Sequence, residues 1–198
     1  MRLILASSSP YRRQMLMRLG LPFDVQPPSV DETPGPDEDP AALALRLARG
    51  KALEVAARHP GAIVIGSDQV AVFEGQPVGK PGSHAGACAQ LRRFSGRSVV
   101  FHSALCVTDG VTAHVEDVTT DCEFLTLSDA QIEHYLRAER PYDTAGSAKA
   151  EGLGIALMAR MRSDDPTAII GLPLIALARM LRQFGLDPLG PALIDTSP

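Results

Sequence analysis

The sequence predicts an α/β protein with a mixed central sheet, and three observations support this fold class. Short apolar runs alternate with helical stretches in the first half of the chain, as in α/β architectures. In the second half, two long strand-like runs, 97–108 and 115–127, flank the turn Asp109-Gly110, which is typical of an antiparallel hairpin. The chain has 198 residues, 45% of them hydrophobic, enough for one large domain or two small lobes with a common core. We expect a single domain, 1–198, with helices around the sheet and a cleft between two lobes.

The first predicted elements are a buried strand at 2–6 and a helix from Pro10 to about Leu19. Pro10 suits the first position of a helix, and a serine directly before it can cap that helix. Gly20 suits the end of the helix. The other predicted elements of this half are a short strand at 23–26, an acidic, proline-rich loop at 27–40, a long helix that begins at Asp39-Pro40, and a strand at 62–73 that Gly66-Ser67-Asp68 interrupts.

The second half of the sequence predicts further helices and strands before and after the hairpin. A turn-rich segment, 74–82, precedes a helix that Ser83 caps and that ends near Phe94. After the hairpin, Ser128 and Gln131 form a capping box for a helix. The remaining predictions are the end of that helix near Arg140, a loop of small residues at 141–154, a strand at 155–161, an apolar helix within 169–184, and a loosely held tail at 186–198.

Composition and charge argue against several classes of protein. The formal net charge is −4, whereas nucleic-acid binding needs a broad basic face. No apolar run approaches the roughly eighteen residues that span a bilayer, and the N-terminus does not resemble a signal peptide. The three cysteines lack metal-binding spacing and the five histidines form no ligand pattern. We therefore expect reduced thiols in a cytoplasmic protein, and histidines that are structural or on the surface.

A serine-rich turn, Ser7-Ser8-Ser9-Pro10, ends the first strand, and Arg12 and Arg13 follow at the start of the next helix. Guanidinium groups at a helix N-terminus suit oxyanions, because the helix dipole and the free N–H groups add to their charge. A helix cap on a solvated basic turn is the alternative interpretation. The sequence lacks the pattern GxxxxGK[ST], so a phosphate site here would not be a P-loop.

Four further charged residues complete a set that suits phosphoryl chemistry. Asp68 follows an apolar run and is a candidate to orient a water or bind a metal, with a turn aspartate as the alternative. Lys51, Lys80 and Glu32, taken singly, would be interpreted as solvated side chains. With the arginines, the set offers cations for phosphates and hard oxygen ligands for Mg²⁺ or Mn²⁺. It therefore predicts phosphoryl chemistry on a triphosphate.

Spaced motifs along nearly the whole chain resemble those of the Maf family of nucleoside triphosphate pyrophosphatases. They are LASSSPYRRQML, VDET, the helix lysine Lys51, IGSDQV, GKP, FSG at 94–96, AGSAKAEGLGI and IIGLPL. SDQV together with AGSAKAEG is similar to the branch that hydrolyses 7-methyl-GTP. The resemblance implies an elongated mixed sheet with a deep cleft, often in a homodimer. It also implies cleavage between the α- and β-phosphates, which would remove modified nucleotides from the pool.

The resemblance also implies roles for individual positions. Asp68 matches the family's proposed proton acceptor, and the phosphate and metal site is matched by Ser7, Arg13, Glu32, Lys51 and Lys80. The base-selecting positions are matched by Tyr11, Gln69 and Glu151. A cationic 7-methylguanine ring should stack on an aromatic face, and Glu151 can accept hydrogen bonds from guanine N–H groups. Tyr11 stands where this branch is expected to carry Trp, so its stacking face is smaller.

Four questions stay open on the sequence alone. The substrate could instead be another canonical or modified nucleoside triphosphate. The protein could also be a non-catalytic regulator of cell division, because Maf proteins have been linked to inhibition of septum formation. Finally, Asp68 could act either as the base or as a metal ligand, and Arg12 is a second, weaker candidate beside Arg13 for the phosphates.

Overall fold

The computed structural model describes residues 1–190, and a seven-stranded mixed sheet lies at its centre. The strands are β1 (Leu3–Ala6), β2 (Asp24–Val25), β3 (Ile63–Phe73), β4 (Gln76–Val78), β5 (Ser98–Thr108), β6 (Ala113–Phe124) and β7 (Met158–Arg162). The α-helices are α1 (Pro10–Met17), α2 (Pro40–Arg58), α3 (His84–Phe94), α4 (Asp129–Glu139) and α5 (Leu174–Gln183). Short 3₁₀ turns occur at Ala145–Ser147, Leu153–Leu157 and Ala168–Ile170.

The strand order is β2-β1-β3-β5-β6-β7, with β4 paired to the end of β3. β1 runs parallel to β2 and β3, whereas β5, β6 and β7 pair in antiparallel fashion, so the predicted mixed sheet is confirmed. β1 leaves β3 after the pair Ala6–Gly66, and β4 joins β3 only at Ala71–Val78. Within residues 1–190, positions 67–70 therefore have no strand neighbour on that side, and the sheet opens there.

Both faces of the sheet are covered, which explains why the strand sequences are apolar without strict alternation. Along β3, Ile63 and Ile65 pack with the cluster formed by α1 and α5, while Val64 packs against α2. α3 and α4 cover the far end of β3, β5 and β6 through a third cluster. None of the helices within residues 1–190 is both long and apolar enough to cross a bilayer.

The predicted interruption of the third strand is wrong. β3 continues from Ile63 to Phe73, pairing with β5 throughout, with Asp68 opposite Ala104. Asp68 is therefore inside a strand rather than at its end. Gly66 serves packing, not a turn: a Cβ there would lie 2.3 Å from the carbonyl oxygen of Ala48 in α2. Glycine allows α2 to approach the sheet closely.

Other segments also differ from the predictions. The segment 74–82 contains β4, a short strand in which Pro77 pairs with Val72. The start of the predicted strand 155–161 is instead a 3₁₀ turn, and the strand runs over Met158–Arg162. In the predicted loose tail, Leu186 is buried at 4% exposure in the core under α5, and residues 191–198 lie outside the described residues.

Candidate active site

The opening beside residues 67–70 leads into a cleft with about 620 Å³ of empty space. Its walls come from the start of α1, from β3, from the loop after β4, and from two segments near 143–151 and 169–171. Five of the ten predicted site residues line it: Tyr11, Arg12, Gln69, Lys80 and Glu151. Residues from five of the sequence motifs thus meet at one place in the fold.

Lys51, another predicted site residue, forms ion pairs with two further ones, Asp68 and Glu32, beside this cleft. Its Nζ lies 2.6 Å from Asp68 Oδ1 and 2.6 Å from Glu32 Oε1. Lys51 projects from α2 and Asp68 from β3, and both are nearly buried, at 6% and 8% exposure. Glu32 comes from the acidic loop before α2 and is exposed, and the hydrogen bond from Lys51 lowers the pKa of its carboxyl group. A buried cation therefore bridges one buried and one exposed carboxylate.

Arg12 supplies a second cation from the first turn of α1. Its Nε donates a hydrogen bond of 2.9 Å to the carbonyl oxygen of Gly171. Burial lowers the pKa of the Arg12 guanidinium, and the negative charges of Asp68 and Glu32 act in the opposite direction. Because the ordinary pKa of arginine is so high, this side chain stays a cation at neutral pH.

Arg13 lies on another side of the same helix. It is exposed and lines two shallow grooves with Met17 and Val25 rather than the cleft. One of these grooves also borders Ser7, so Arg13 flanks the serine turn from outside. Of the two adjacent arginines, Arg12 is the one that lines the cleft, where the negative charges of Asp68 and Glu32 act on it through space.

The serine turn is built by its own hydroxyl groups. The buried Ser7 Oγ accepts the N–H of Ser9 at 3.1 Å, and Ser9 Oγ accepts the N–H of Arg12 at 3.3 Å. Ser9 is therefore the cap of α1, as predicted. These bonds fix the turn at the point where β1 leaves the sheet, next to the cleft.

Gln69 has its amide nitrogen fully occupied. Nε2 donates to Ser103 Oγ at 2.9 Å and lies 3.1 and 3.0 Å from the carbonyl oxygens of Ala168 and Ile169. Three acceptors around one nitrogen fix the amide orientation. The carbonyl oxygen Oε1 is then the atom of Gln69 that is left to accept a hydrogen bond. The sequence offered no signal for the partner Ser103, which is fully buried on β5.

Tyr11 also has protein partners. The ammonium of Lys149 lies 5.6 Å from the centre of its ring, within the range of a cation–π contact. Its hydroxyl lies 3.5 Å from Asp143 Oδ2. Lys149 and Asp143 were not among the predicted site residues, although Lys149 falls inside the motif AGSAKAEGLGI. Glu151, two residues further on, is exposed on the same wall.

Asp68 and Glu32 carry the carboxylates beside the cleft that could hold a divalent metal ion. Their carboxylates converge on a single cationic atom, Lys51 Nζ, so the position already gathers negative charge. Carboxylate oxygens are the ligands that Mg²⁺ and Mn²⁺ prefer. The exposed Lys80 stands at the mouth of the cleft and makes no ion pair within residues 1–190.

Comparison with known proteins is consistent with this geometry. A family profile described as Maf-like protein matches residues 2–184. A protein of Bordetella avium (strain 197N) named 7-methyl-GTP pyrophosphatase is 70% identical over 188 residues, covering 95% of each chain. A protein of Ralstonia nicotianae with the same name is 62% identical over 183 residues, covering 91% of this chain and 94% of that one. The chain belongs to the Maf family.

Proposed function

We propose that the protein is a nucleoside triphosphate pyrophosphatase that converts 7-methyl-GTP to 7-methyl-GMP and pyrophosphate. The observation that carries the proposal is the grouping of Lys51, Asp68 and Glu32 beside a cleft lined by Arg12 and Lys80. Relatives that cover nearly the whole chain bear the name of this activity. Residues 1–198 would act as one catalytic domain.

Asp68 would act on the attacking water. Its Oδ1 is held by Lys51 at 2.6 Å, which fixes the carboxylate while Oδ2 makes no hydrogen bond within residues 1–190. We assign Oδ2 to orient the water and to accept its proton as the oxygen attacks the α-phosphorus. The bond to the β-phosphate oxygen breaks, and pyrophosphate leaves.

The phosphates would be bound by the cations around the cleft. Arg12 and Lys80 lie on its walls, and the free N–H groups at the start of α1 favour negative charge there. Glu32 would hold Mg²⁺ or Mn²⁺, joined by Asp68 in the alternative in which Asp68 is a metal ligand rather than the base, and the ion would neutralise phosphate charge. Arg13, which lies outside the cleft beside Ser7, would serve the serine turn rather than the reacting phosphate.

The base would be selected by three side chains. Tyr11 offers a ring face, Gln69 Oε1 offers an acceptor, and Glu151 offers a carboxylate on the same wall. Two acceptors suit the N1–H and amino group of guanine, and the charge of Glu151 favours the methylated, cationic ring. Bases without adjacent N–H donors would leave these acceptors unpaired, which costs binding.

The test is pyrophosphate release with Mg²⁺ or Mn²⁺ across 7-methyl-GTP, GTP, UTP, dTTP and CTP. We expect 7-methyl-GTP to be preferred, and we expect Asp68→Asn to abolish turnover. Asp129→Asn, which changes an exposed aspartate on α4, is the matched control and should stay active. Equal cleavage of 7-methyl-GTP and GTP would refute the methyl preference, and no cleavage of any nucleotide would refute the enzyme.

The proposal also covers the cellular compartment, the class of substrate and the oligomeric state. The three cysteines are free thiols, which supports a reducing compartment, the cytoplasm. The net charge of −4 supports a small-molecule substrate rather than a nucleic acid. Resemblance to the family supports a homodimer, which sedimentation of the purified protein would test.

A further inference from the structure

A second cluster of metal-binding side chains lies between α3 and α4, outside the cleft. His84, Cys88 and Glu133 each offer a ligand atom, and these atoms lie within 4.8 Å of one another. His84 and Cys88 are four residues apart on α3, so they share one face of that helix, and Glu133 faces them from α4. The sequence predicted no metal pattern among the histidines and cysteines, because Glu133 is brought to them only by the fold.

We propose that this cluster is a Zn²⁺ site. A thiolate, an imidazole and a carboxylate are the ligands that zinc takes in proteins, and the thiolate disfavours Mg²⁺. One thiolate and one carboxylate also balance the charge of the ion. Three protein ligands leave the fourth tetrahedral position for water.

The distances fit tetrahedral zinc with small movements. Cys88 Sγ lies 3.8 Å from His84 Nε2, and His84 Nε2 lies 2.8 Å from Glu133 Oε2. Usual zinc bond lengths place sulfur and nitrogen about 3.6 Å apart, and nitrogen and oxygen about 3.3 Å apart. The carboxylate oxygen therefore needs to withdraw from Nε2 by about half an ångström, and the sulfur–nitrogen distance needs to shorten by about 0.2 Å. The sulfur and the carboxylate oxygen lie within 4.8 Å of each other.

The surroundings already hold the ligands in orientation. His84 Nδ1 lies 3.0 Å from the Tyr142 hydroxyl, which lies 3.4 Å from the carbonyl oxygen of Leu136. When Nε2 binds the ion and releases its proton, Nδ1–H can donate to Tyr142, whose own hydrogen turns to Leu136. Glu133 Oε1 accepts from Arg137 at 2.6 Å, which leaves Oε2 for the ion. Such outer partners are typical of metal-binding histidines and carboxylates.

The ion would clamp the wall that carries Lys80. Gly82 donates its N–H to the Tyr142 carbonyl oxygen at 3.0 Å, and Gln90 of α3 donates to the Gly79 carbonyl oxygen at 2.9 Å. The Lys80 loop is thus held on one side by α3 and on the other by the segment that carries Tyr142. Zinc bound between α3 and α4 would fix this support, so the ion would act on the position of the Lys80 loop rather than on the nucleotide.

To test the proposal, the full chain is titrated with Zn²⁺ in competition with a chromogenic chelator. Excess Mg²⁺ is present to occupy sites made of carboxylates alone. We expect one Zn²⁺ per chain and a higher thermal midpoint with zinc. Cys88→Ala should weaken binding by about 100-fold or more, and Tyr142→Phe by about 10-fold. The control His134→Ala, which removes a neighbouring exposed histidine of α4, should leave binding unchanged.

Co²⁺ provides a second readout that a cleft-bound ion cannot imitate. Substitution of Co²⁺ should give a thiolate-to-metal absorption band that persists in Asp68→Asn and vanishes in Cys88→Ala. Equal Zn²⁺ affinity of the wild type and Cys88→Ala, or a Co²⁺ complex without that band, would overturn the site. The outcome is independent of whether the protein hydrolyses nucleotides.

Discussion

Lys51 and Asp68 meet across the interface of α2 and β3, with 2.6 Å between Lys51 Nζ and Asp68 Oδ1. Both side chains are nearly buried, and a buried charge is tolerated only when it is paired. Glu32 adds a second, exposed carboxylate to the same ammonium group. The arrangement therefore makes the fold depend on residues that the proposed reaction uses.

Removal of Lys51 should destabilise the protein more than removal of Asp68. Lys51→Met leaves the carboxylate of Asp68 buried without its cation, and we expect a loss of about 3 kcal/mol in the free energy of unfolding. Asp68→Asn leaves Lys51 paired with Glu32, so its loss should be smaller. Urea unfolding followed by circular dichroism measures both. Equal losses would show that Glu32 does not compensate for Asp68.

Two glycines near this pair should respond in opposite ways to alanine. Gly66→Ala places a Cβ 2.3 Å from the Ala48 carbonyl oxygen, so α2 must move away from β3 and carry Lys51 from Asp68. We expect a loss of about 2–3 kcal/mol and reduced turnover. At Gly50, inside α2, an added methyl group would approach the side chain of Val30 no closer than 3.8 Å, an ordinary van der Waals contact.

Gly50→Ala is therefore the matched control on the same helix. Alanine favours the helix interior by about 1 kcal/mol over glycine, so the variant should unfold at higher urea with unchanged turnover. Stabilisation by Gly66→Ala would contradict the close packing of α2 on β3. Both variants are compared by unfolding and by pyrophosphate release.

These glycines show what could be predicted from the sequence and what could not. The helix starts at Ser9 and Ser128 and the long hairpin follow from local patterns, and the structure contains them. Gly66 was misinterpreted as an interruption because its reason is the approach of α2, a contact between distant parts of the chain. Short β4 was missed because it contains Pro77 and lies between Gly75 and Gly79, which are typical of turns.

The candidate site also has features that the sequence could predict and features that it could not. Residue types at Lys51, Asp68 and Glu32 predicted a grouping that the structure contains. Arg13 was the preferred candidate for the phosphates and Arg12 the weaker one, whereas Arg12 is the arginine that lines the cleft. Neighbouring residues on a helix point about 100° apart, and only packing decides which one faces inward. Partners such as Ser103 and Lys149 come from distant segments and carry no local signal.

The pH dependence of Glu32 should report on Lys51. The hydrogen bond from Lys51 lowers the pKa of Glu32 below its ordinary value of 4.5. The folded pKa is below the unfolded one, so this contribution to stability is present above about pH 4.5 and is lost as the pH falls through the folded pKa. Carboxyl ¹³C NMR measures this titration.

Two variants test how much Lys51 and Lys80 each lower the pKa of Glu32. Lys51→Met should raise the pKa of Glu32 markedly, because it removes the main cause. Lys80→Met should raise it less, since Lys80 acts on Glu32 only through space and more weakly. A larger rise with Lys80→Met than with Lys51→Met would contradict the contact between Lys51 and Glu32.

Lys149 should oppose binding of a cationic base. Its ammonium lies 5.6 Å from the centre of the Tyr11 ring, where a 7-methylguanine ring would also place positive charge. Lys149→Gln removes this competition, worth about 1 kcal/mol, and should raise kcat/KM for 7-methyl-GTP relative to GTP by roughly fivefold. Lys149→Arg keeps the charge and should not. An unchanged ratio in Lys149→Gln would place the base on the other face of Tyr11.

Gln69→Glu should disrupt the site through its hydrogen-bond pattern rather than its size. Nε2 of Gln69 donates to Ser103 and approaches the carbonyl oxygens of Ala168 and Ile169 at 3.1 and 3.0 Å. A carboxylate has no hydrogen to donate there and would face these oxygens with like charge. We expect a loss of about 1–3 kcal/mol in unfolding free energy and a higher KM for 7-methyl-GTP.

Ser103→Ala is the milder comparison for Gln69→Glu. It removes one acceptor of the amide but leaves the two carbonyl oxygens that hold Nε2, so the orientation of Gln69 should persist. We expect a smaller loss of stability and a KM closer to that of the wild type. Wild-type stability in Gln69→Glu would mean that the amide is turned the other way, with its nitrogen toward the cleft. The base would then meet a donor at this position, and guanine would lose one of its two proposed acceptors.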